Sequence, residues 1–233
     1  MTAWIAAIRG SICTTRHFAA RGEERRFVQR ESSVRLRSLL VNVLVSAFYV
    51  FFLYTSIQYW LRTGSLVGIG LVACNSLVVG CLLTRKNASA VSESIPNWIL
   101  ASLTQVVPLL LRPVGSSVPT LVLVSGVGQV IGVGLMIASL MALNRSLGVV
   151  AANRGIKTRG PYARVRHPLY AGEILFDLSF LLCNWSFANG ALILCITMAQ
   201  VVRSLQEEKF LLRDERYRLY LAAVPYRLIP GIF

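Results

Sequence analysis

Charge is scarce in this chain, and acid is scarcer still. Only 15% of its 233 residues are charged, and 10 Asp+Glu stand against 24 Lys+Arg. Soluble domains carry charge on about a quarter of their residues, so an ordinary solvated globule is excluded. There are two histidines and five cysteines, Cys13, Cys74, Cys81, Cys183 and Cys195, with no CxxC pair among them. That excludes a disulfide framework and a zinc site of ordinary spacing, and no metal is expected. Most of these cysteines fall in or near apolar segments and read as small buried hydrophobes. Glycine is frequent, but no GKS or GKT follows any glycine run, so no phosphate loop is present. Met1 to Cys13 lacks a basic start and a strong apolar core, so no cleavable signal peptide is expected.

What is present is apolar. Hydrophobic residues make up 55% of the chain and the mean hydropathy is +0.61. Apolar runs near the length of a membrane span recur, which predicts an all-α polytopic membrane helix bundle. Each helix satisfies its own backbone, so no sheet is needed. The net charge of +14 suggests nucleic acid at first sight. Its segregation along the chain points to membrane topology instead, and no nucleic-acid partner is expected.

Residues 1–37 form a basic arm, with eight arginines and three glutamates between Arg9 and Arg37. It reads either as an interfacial helix on anionic headgroups or as a solvated tail. Residues 38–143 hold four spans, near 38–61, 65–83, 95–111 and 118–143. The fourth is rich in glycine (Gly126, Gly128, Gly132, Gly134), a signal for close helix packing within one chain or between two. Residues 144–233 hold a polar turn, a long apolar region and a tail. Leu169 to Val202 is too long for one span and breaks at residues 183–190, a polar and aromatic turn with Gly190. It reads as a helical hairpin, with Trp185 and Phe187 at the far interface. That makes six spans.

Basic residues support the hairpin. With the N-terminus in the cytoplasm, 22 of the 24 Lys+Arg fall on the cytoplasmic side and only Arg62 and Arg112 outside. The turn before the hairpin and the polar tail then share the cytoplasmic face of a plasma or inner membrane, where they can meet. The tail is read as a polar helix beginning at Glu207-Glu208 and running to about Ala223, followed by an extended Pro-bounded end.

Chemistry concentrates in GPYARVRHPLYAG, Gly160 to Gly172. Arg164, Arg166 and His167 precede Pro168, which is suited to the first position of a helix. Cations at a helix start make an anion site. Topology explains the arginines but not His167, Tyr162 or Tyr170. Glu173 and Asp177 are four apart and share a helix face, as acids lining a polar cavity would. Past the hairpin, Glu207 and Glu208 are suited to ribose hydroxyls or a cation, and Arg213, Tyr217 and Tyr220 follow them.

These pieces together resemble the isoprenylcysteine carboxyl methyltransferase and phospholipid methyltransferase superfamily of integral membrane enzymes. The matching residues are Arg166-His167-Pro168-x-Tyr170, Glu207-Glu208, Tyr217-x-x-Tyr220, Val224-Pro225 and Pro230, within Arg159 to Pro230. The chain has Arg213-Asp214-Glu215-Arg216 where relatives often have a glycine. The resemblance implies S-adenosylmethionine as methyl donor, in a cytoplasm-facing pocket between the turn, the hairpin and the C-terminal helix. Carried over by position, Tyr162, Val165, Arg166, His167, Tyr170 and Glu208 would bind the cofactor. Glu207, Glu208, Arg213 and Arg227 would carry catalysis, an arginine orienting the acceptor. The acceptor it implies is a lipophilic or prenylated molecule, foremost an isoprenylcysteine-like carboxylate, with a phospholipid amine or a thiol as alternatives. For an amine or thiol, Glu208 is the expected base. Membrane lipids are the other expected partners. Two further readings compete: an NADPH-dependent membrane reductase, and a non-catalytic membrane scaffold.

Overall fold

The computed structural model describes residues 43–84, 90–91, 94–148, 152–153 and 155–233. The basic arm therefore lies outside the described residues. The chain divides into two compact units, Met1–Phe48 and Tyr49–Phe233. Of the first, only the opening turn of helix α1 is described; the second holds everything discussed below.

Seven α-helices are present among the described residues. They are α1 (Val43–Thr63), α2 (Leu66–Thr84), α3 (Ile95–Val106), α4 (Pro119–Leu143), α5 (Pro168–Cys183), α6 (Phe187–Leu211) and α7 (Glu215–Ala223). Among the described residues, the one pairing of extended segments is the two-residue contact of Ala90–Val91 with Ala152–Asn153. Helices α1, α2, α4 and α6 are long and apolar enough to cross a membrane. The other two expected spans are shorter. α3 stops at Val106 because Pro108 has no N–H to donate, and only a 3₁₀ turn, Val107–Leu110, carries it on. α5 has 16 residues, roughly 24 Å against a hydrocarbon core of about 30 Å.

The expected hairpin is α5 and α6. Its break is tighter than residues 183–190, because Phe187 to Gly190 already form the first turn of α6. Ser186 caps that turn by accepting a bond from Asn189 N at 3.0 Å. The turn is fastened to the loop between α3 and α4. Asn184 Oδ1 accepts from the backbone of Val114 and Gly115, and Asn189 bonds both N–H and C=O of Arg112. Those two connections thus lie at one end of the bundle, as the spacing of basic residues requires. Trp185 and Phe187 are exposed there.

The closest packing is α4 on α5. A Cβ on Gly132 would stand 2.9 Å from Gly172 O and 2.9 Å from Phe176 N, and one on Gly172 would stand 2.9 Å from Gly132 O. Only glycine permits that approach. Gly126 and Gly134 face open space, so the glycine-rich stripe works within this chain through Gly132 and Gly128, the latter against the Ser179 side chain. Ser125 adds a bond across the pair, Oγ to Ser179 O at 2.6 Å.

One boundary differs from expectation in a way that matters for chemistry. Glu207 and Glu208 do not open a separate tail helix; they sit in the last turn of α6, which runs unbroken to Leu211. The tail helix is α7. It starts where Asp214 accepts a bond from Arg216 N, and it ends before Pro225.

Candidate active site

The turn and the tail meet at the end of the bundle opposite the Asn184–Asn189 fastening. Gly160 takes φ +63, which favours glycine, and opens a 3₁₀ turn over Gly160–Ala163. The chain then extends through His167, the residue before Pro168. Its backbone bonds the tail edge to edge: Arg166 N donates to Tyr226 O at 2.9 Å and His167 N to Arg227 O at 2.8 Å.

Glu208 holds this junction. Its Oε2 accepts from Arg166 Nη1 at 2.9 Å and from Arg227 Nε at 3.0 Å, and its Oε1 faces His167 Nε2 at 3.2 Å. With a carboxylate opposite, Nε2 is the protonated ring nitrogen. Arg166 also donates to the carbonyls of Pro225 and Tyr226. Arg166, His167 and Glu208 are all buried. Charges survive burial when each is paired and hydrogen-bonded, and here three elements share one clamp.

Beside the clamp lies a cavity of about 300 Å³. At its turn end, His167 stacks on Tyr170 with ring centroids 5.5 Å apart and planes 3° from parallel. Tyr170 Oη donates to Glu207 at 3.0 Å, and the guanidinium of Arg203 lies over the same ring at 5.1 Å. Arg203 is held from α3 by Thr104 Oγ1 at 2.5 Å. From there Gln200 on α6 and Glu173 and Asp177 on α5 continue the polar strip into the bundle. The opposite wall is apolar: Phe52, Cys74, Val78, Met136 and Leu140. Tyr217 and Tyr220 of α7 complete the lining.

Tyr220 Oη donates to Tyr162 O at 2.7 Å. Burial raises the Tyr220 hydroxyl to about 12, Arg166 opposing and Glu208 adding, so it stays a donor at neutral pH. Burial, with Glu207 nearby, likewise pushes the Tyr162 phenol well above its ordinary value. Two buried polar atoms on the cavity wall have no hydrogen-bond partner among the described residues: Gln200 Oε1 and Tyr217 Oη.

The expected site residues are therefore gathered, though not all on one surface. Tyr162, Arg166, His167, Tyr170 and Glu207 line the cavity. Val165 is buried behind it. Glu208 faces the clamp, both its oxygens engaged by Arg166, Arg227 and His167, which leaves it no lone role as a base. Arg227 belongs to that clamp and stacks on Phe233 at 5.2 Å. Arg213 is exposed against Phe210, off the cavity wall. A further cavity arginine, Arg203, was not singled out from sequence. Its spacing was the available signal: Gln200, Arg203 and Glu207 lie three and four apart on one face of α6.

No family model matches the chain, and no curated protein matches it. A solved structure of a eukaryotic intramembrane Ras methyltransferase, isoprenylcysteine carboxyl methyltransferase, is similar to it. Identity is 17%, the match covers 83% of this chain and 87% of that one, and the TM-score is 0.34. At that TM-score the likeness carries no argument.

Proposed function

We propose that this protein is an integral membrane methyltransferase that uses S-adenosylmethionine to methylate a lipophilic acceptor. The observation that carries the reading is the convergence of the Arg166-His167-Pro168-x-Tyr170 turn, Glu207 and the α7 tyrosines on one cavity. The cavity is polar at the tail and apolar toward the bundle.

The cofactor fits the groups present. Its carboxylate matches Arg203, its ribose hydroxyls and amino group match Glu207 and the unpartnered Tyr217 Oη, and its adenine matches the tyrosine faces. When bound it supplies an electrophilic methyl group on a sulfonium. The chain's own part is positioning and exclusion of water. Tyr170 is fixed by Glu207, His167 and Arg203 on three sides, so its ring offers a rigid face to a cation. The apolar wall lowers polarity where positive charge is lost from sulfur, which favours transfer. The Glu208 clamp keeps the tail over the cavity, and holding two reactants in line supplies most of the acceleration such a displacement needs.

The resemblance of the motif favours an isoprenylcysteine-like carboxylate as acceptor, with lipid amines and thiols as the other nucleophiles of suitable reach. Calorimetry in detergent tests the donor. S-adenosylmethionine should bind wild type at micromolar concentration and His167→Ala at least about tenfold more weakly, the loss of a stacked, hydrogen-bonded group. Binding of NADPH in its place would move the reductase reading ahead. Binding of neither by folded protein would leave the scaffold reading.

A further inference from the structure

We propose that the inner end of the cavity is an ammonium subsite, where Asp177, Glu173 and Gln200 receive the nitrogen of a lipophilic amine. The methyl acceptor is then an amine rather than a carboxylate, a step that rests on the methyltransferase reading; the subsite itself does not.

The argument begins with helix geometry. Tyr170, Glu173 and Asp177 are three and four residues apart, so they share one face of α5, and Asp177 lies about 10 Å along the axis from Tyr170. Gln200, Arg203 and Glu207 share the facing side of α6. The charges along this strip do not balance. Three acids, Glu173, Asp177 and Glu207, face the cavity with one cation among them, Arg203. Lys157 lines the cavity from the loop before the turn, and Arg166 and His167 are engaged by Glu208. Arg203 interacts with Glu173 and with Glu207, one turn further along its own helix.

Asp177 is left over. It is 8% exposed, and among the described residues it makes no hydrogen bond or ion pair. A buried carboxylate in a membrane helix is costly unless it is paired, and it marks a ligand or proton site. A second, independent observation points the same way. Gln200 is 1% exposed and lines the same cavity, and its Oε1 has no donor. Everything missing here is a donor or a positive charge. A group with both is a protonated amine. A carboxylate would meet Asp177 and Glu173 as a like charge and leave Gln200 Oε1 unsatisfied. The apolar remainder of the wall, including Phe52, Val78 and Leu140, suits a hydrocarbon tail.

The chemistry closes. The ammonium gives one proton to the Asp177 carboxylate. The freed nitrogen lone pair then forms the N–CH₃ bond as the S–CH₃ bond of the sulfonium donor breaks. The bonding electrons stay on sulfur, which becomes a neutral thioether, and nitrogen carries the positive charge.

The test compares dodecylamine with laurate, matched in chain length, on full-length protein in detergent. Binding is followed by calorimetry and methyl transfer by labelled S-adenosylmethionine. Dodecylamine should bind wild type at least about tenfold more tightly than laurate, and Asp177→Asn should remove that preference while leaving S-adenosylmethionine binding within about twofold. Gln200→Leu should weaken dodecylamine in the same direction, and it keeps the test standing if Asp177→Asn fails to fold. Equal binding of laurate overturns the proposal. So does a loss of S-adenosylmethionine binding in Asp177→Asn with amine binding intact, which would give the subsite to the donor's own amino group. Dodecylamine binding that depends on Asp177 without any S-adenosylmethionine binding would keep the subsite and sink the methyltransferase reading instead.

Discussion

The clamp and the cavity wall are built from the same kinds of residue, yet their charges are arranged in opposite ways. In the clamp one carboxylate, Glu208, serves two arginines and a histidine N–H, and nothing is left over. On the cavity wall Glu173, Asp177 and Glu207 stand with Arg203 and Lys157, Arg166 being engaged by Glu208, and Asp177 remains without a partner among the described residues. Glu207 and Glu208 are adjacent in sequence, but on a helix adjacent residues point about 100° apart, so one faces each region. A saturated ion network is what a structural joint needs. An unsaturated one in a buried place costs stability unless something else completes it. The difference separates residues that hold the site together from residues that meet a ligand.

The sharpest way to break the comparison is at Glu208. Glu208→Ala leaves Arg166 buried without its counter-charge and His167 without its acceptor, and removing one partner of a buried pair costs about 3–5 kcal/mol. Thermal unfolding in detergent should show a large loss. A variant as stable as wild type would mean the clamp is not a joint. Glu207→Ala, on the cavity side, should lower stability far less and S-adenosylmethionine affinity more. The reverse pattern would exchange the roles assigned to the two acids.

The joint between α4 and α5 offers a smaller effect with a built-in control. Gly132→Ala would press a methyl group against Gly172 O and Phe176 N, and overpacking of this kind costs about 1–3 kcal/mol. Gly126→Ala, on the same helix with nothing within 4 Å, should be neutral or slightly stabilising because alanine is the better helix former. Equal unfolding temperatures for the two variants would remove the close approach as an explanation of the glycine stripe.

The comparison also shows what sequence can and cannot carry. The hairpin was legible because the apolar run from Leu169 is too long for one span and is interrupted by Asn184, Trp185 and Ser186. The meeting of turn and tail was legible because basic residues assign them to the same side. Pro168 at the first position of α5 was legible from proline's own geometry. The length of α6 was not. Its last turns are polar, so hydropathy ends the span near Val202 while the backbone continues to Leu211. That misplaced the start of the tail helix and hid the face that Gln200, Arg203 and Glu207 share. Nor was the choice between Arg203, Arg213 and Arg227 legible. All three are arginines near the membrane face, and only tertiary contact separates one held by Thr104 from one on Phe210 and one on Glu208.

The smallest expected effect is the most selective. Tyr217 is 3% exposed, lines the cavity and has a hydroxyl without a partner among the described residues. Burial, reinforced by Glu208 and Glu207, raises its pKa, so the group is a neutral donor awaiting an acceptor. Removing a hydroxyl that makes no bond to the described residues should not destabilise the protein, and Tyr217→Phe should unfold at the wild-type temperature or slightly above. If the hydroxyl donates to a bound cofactor, the same variant should weaken S-adenosylmethionine by several-fold, the worth of one neutral hydrogen bond of about 1 kcal/mol. Loss of stability with unchanged affinity would place Tyr217 with the clamp. Loss of affinity at unchanged stability is the signature that the cavity wall, and not the joint beside it, is where the ligand is read.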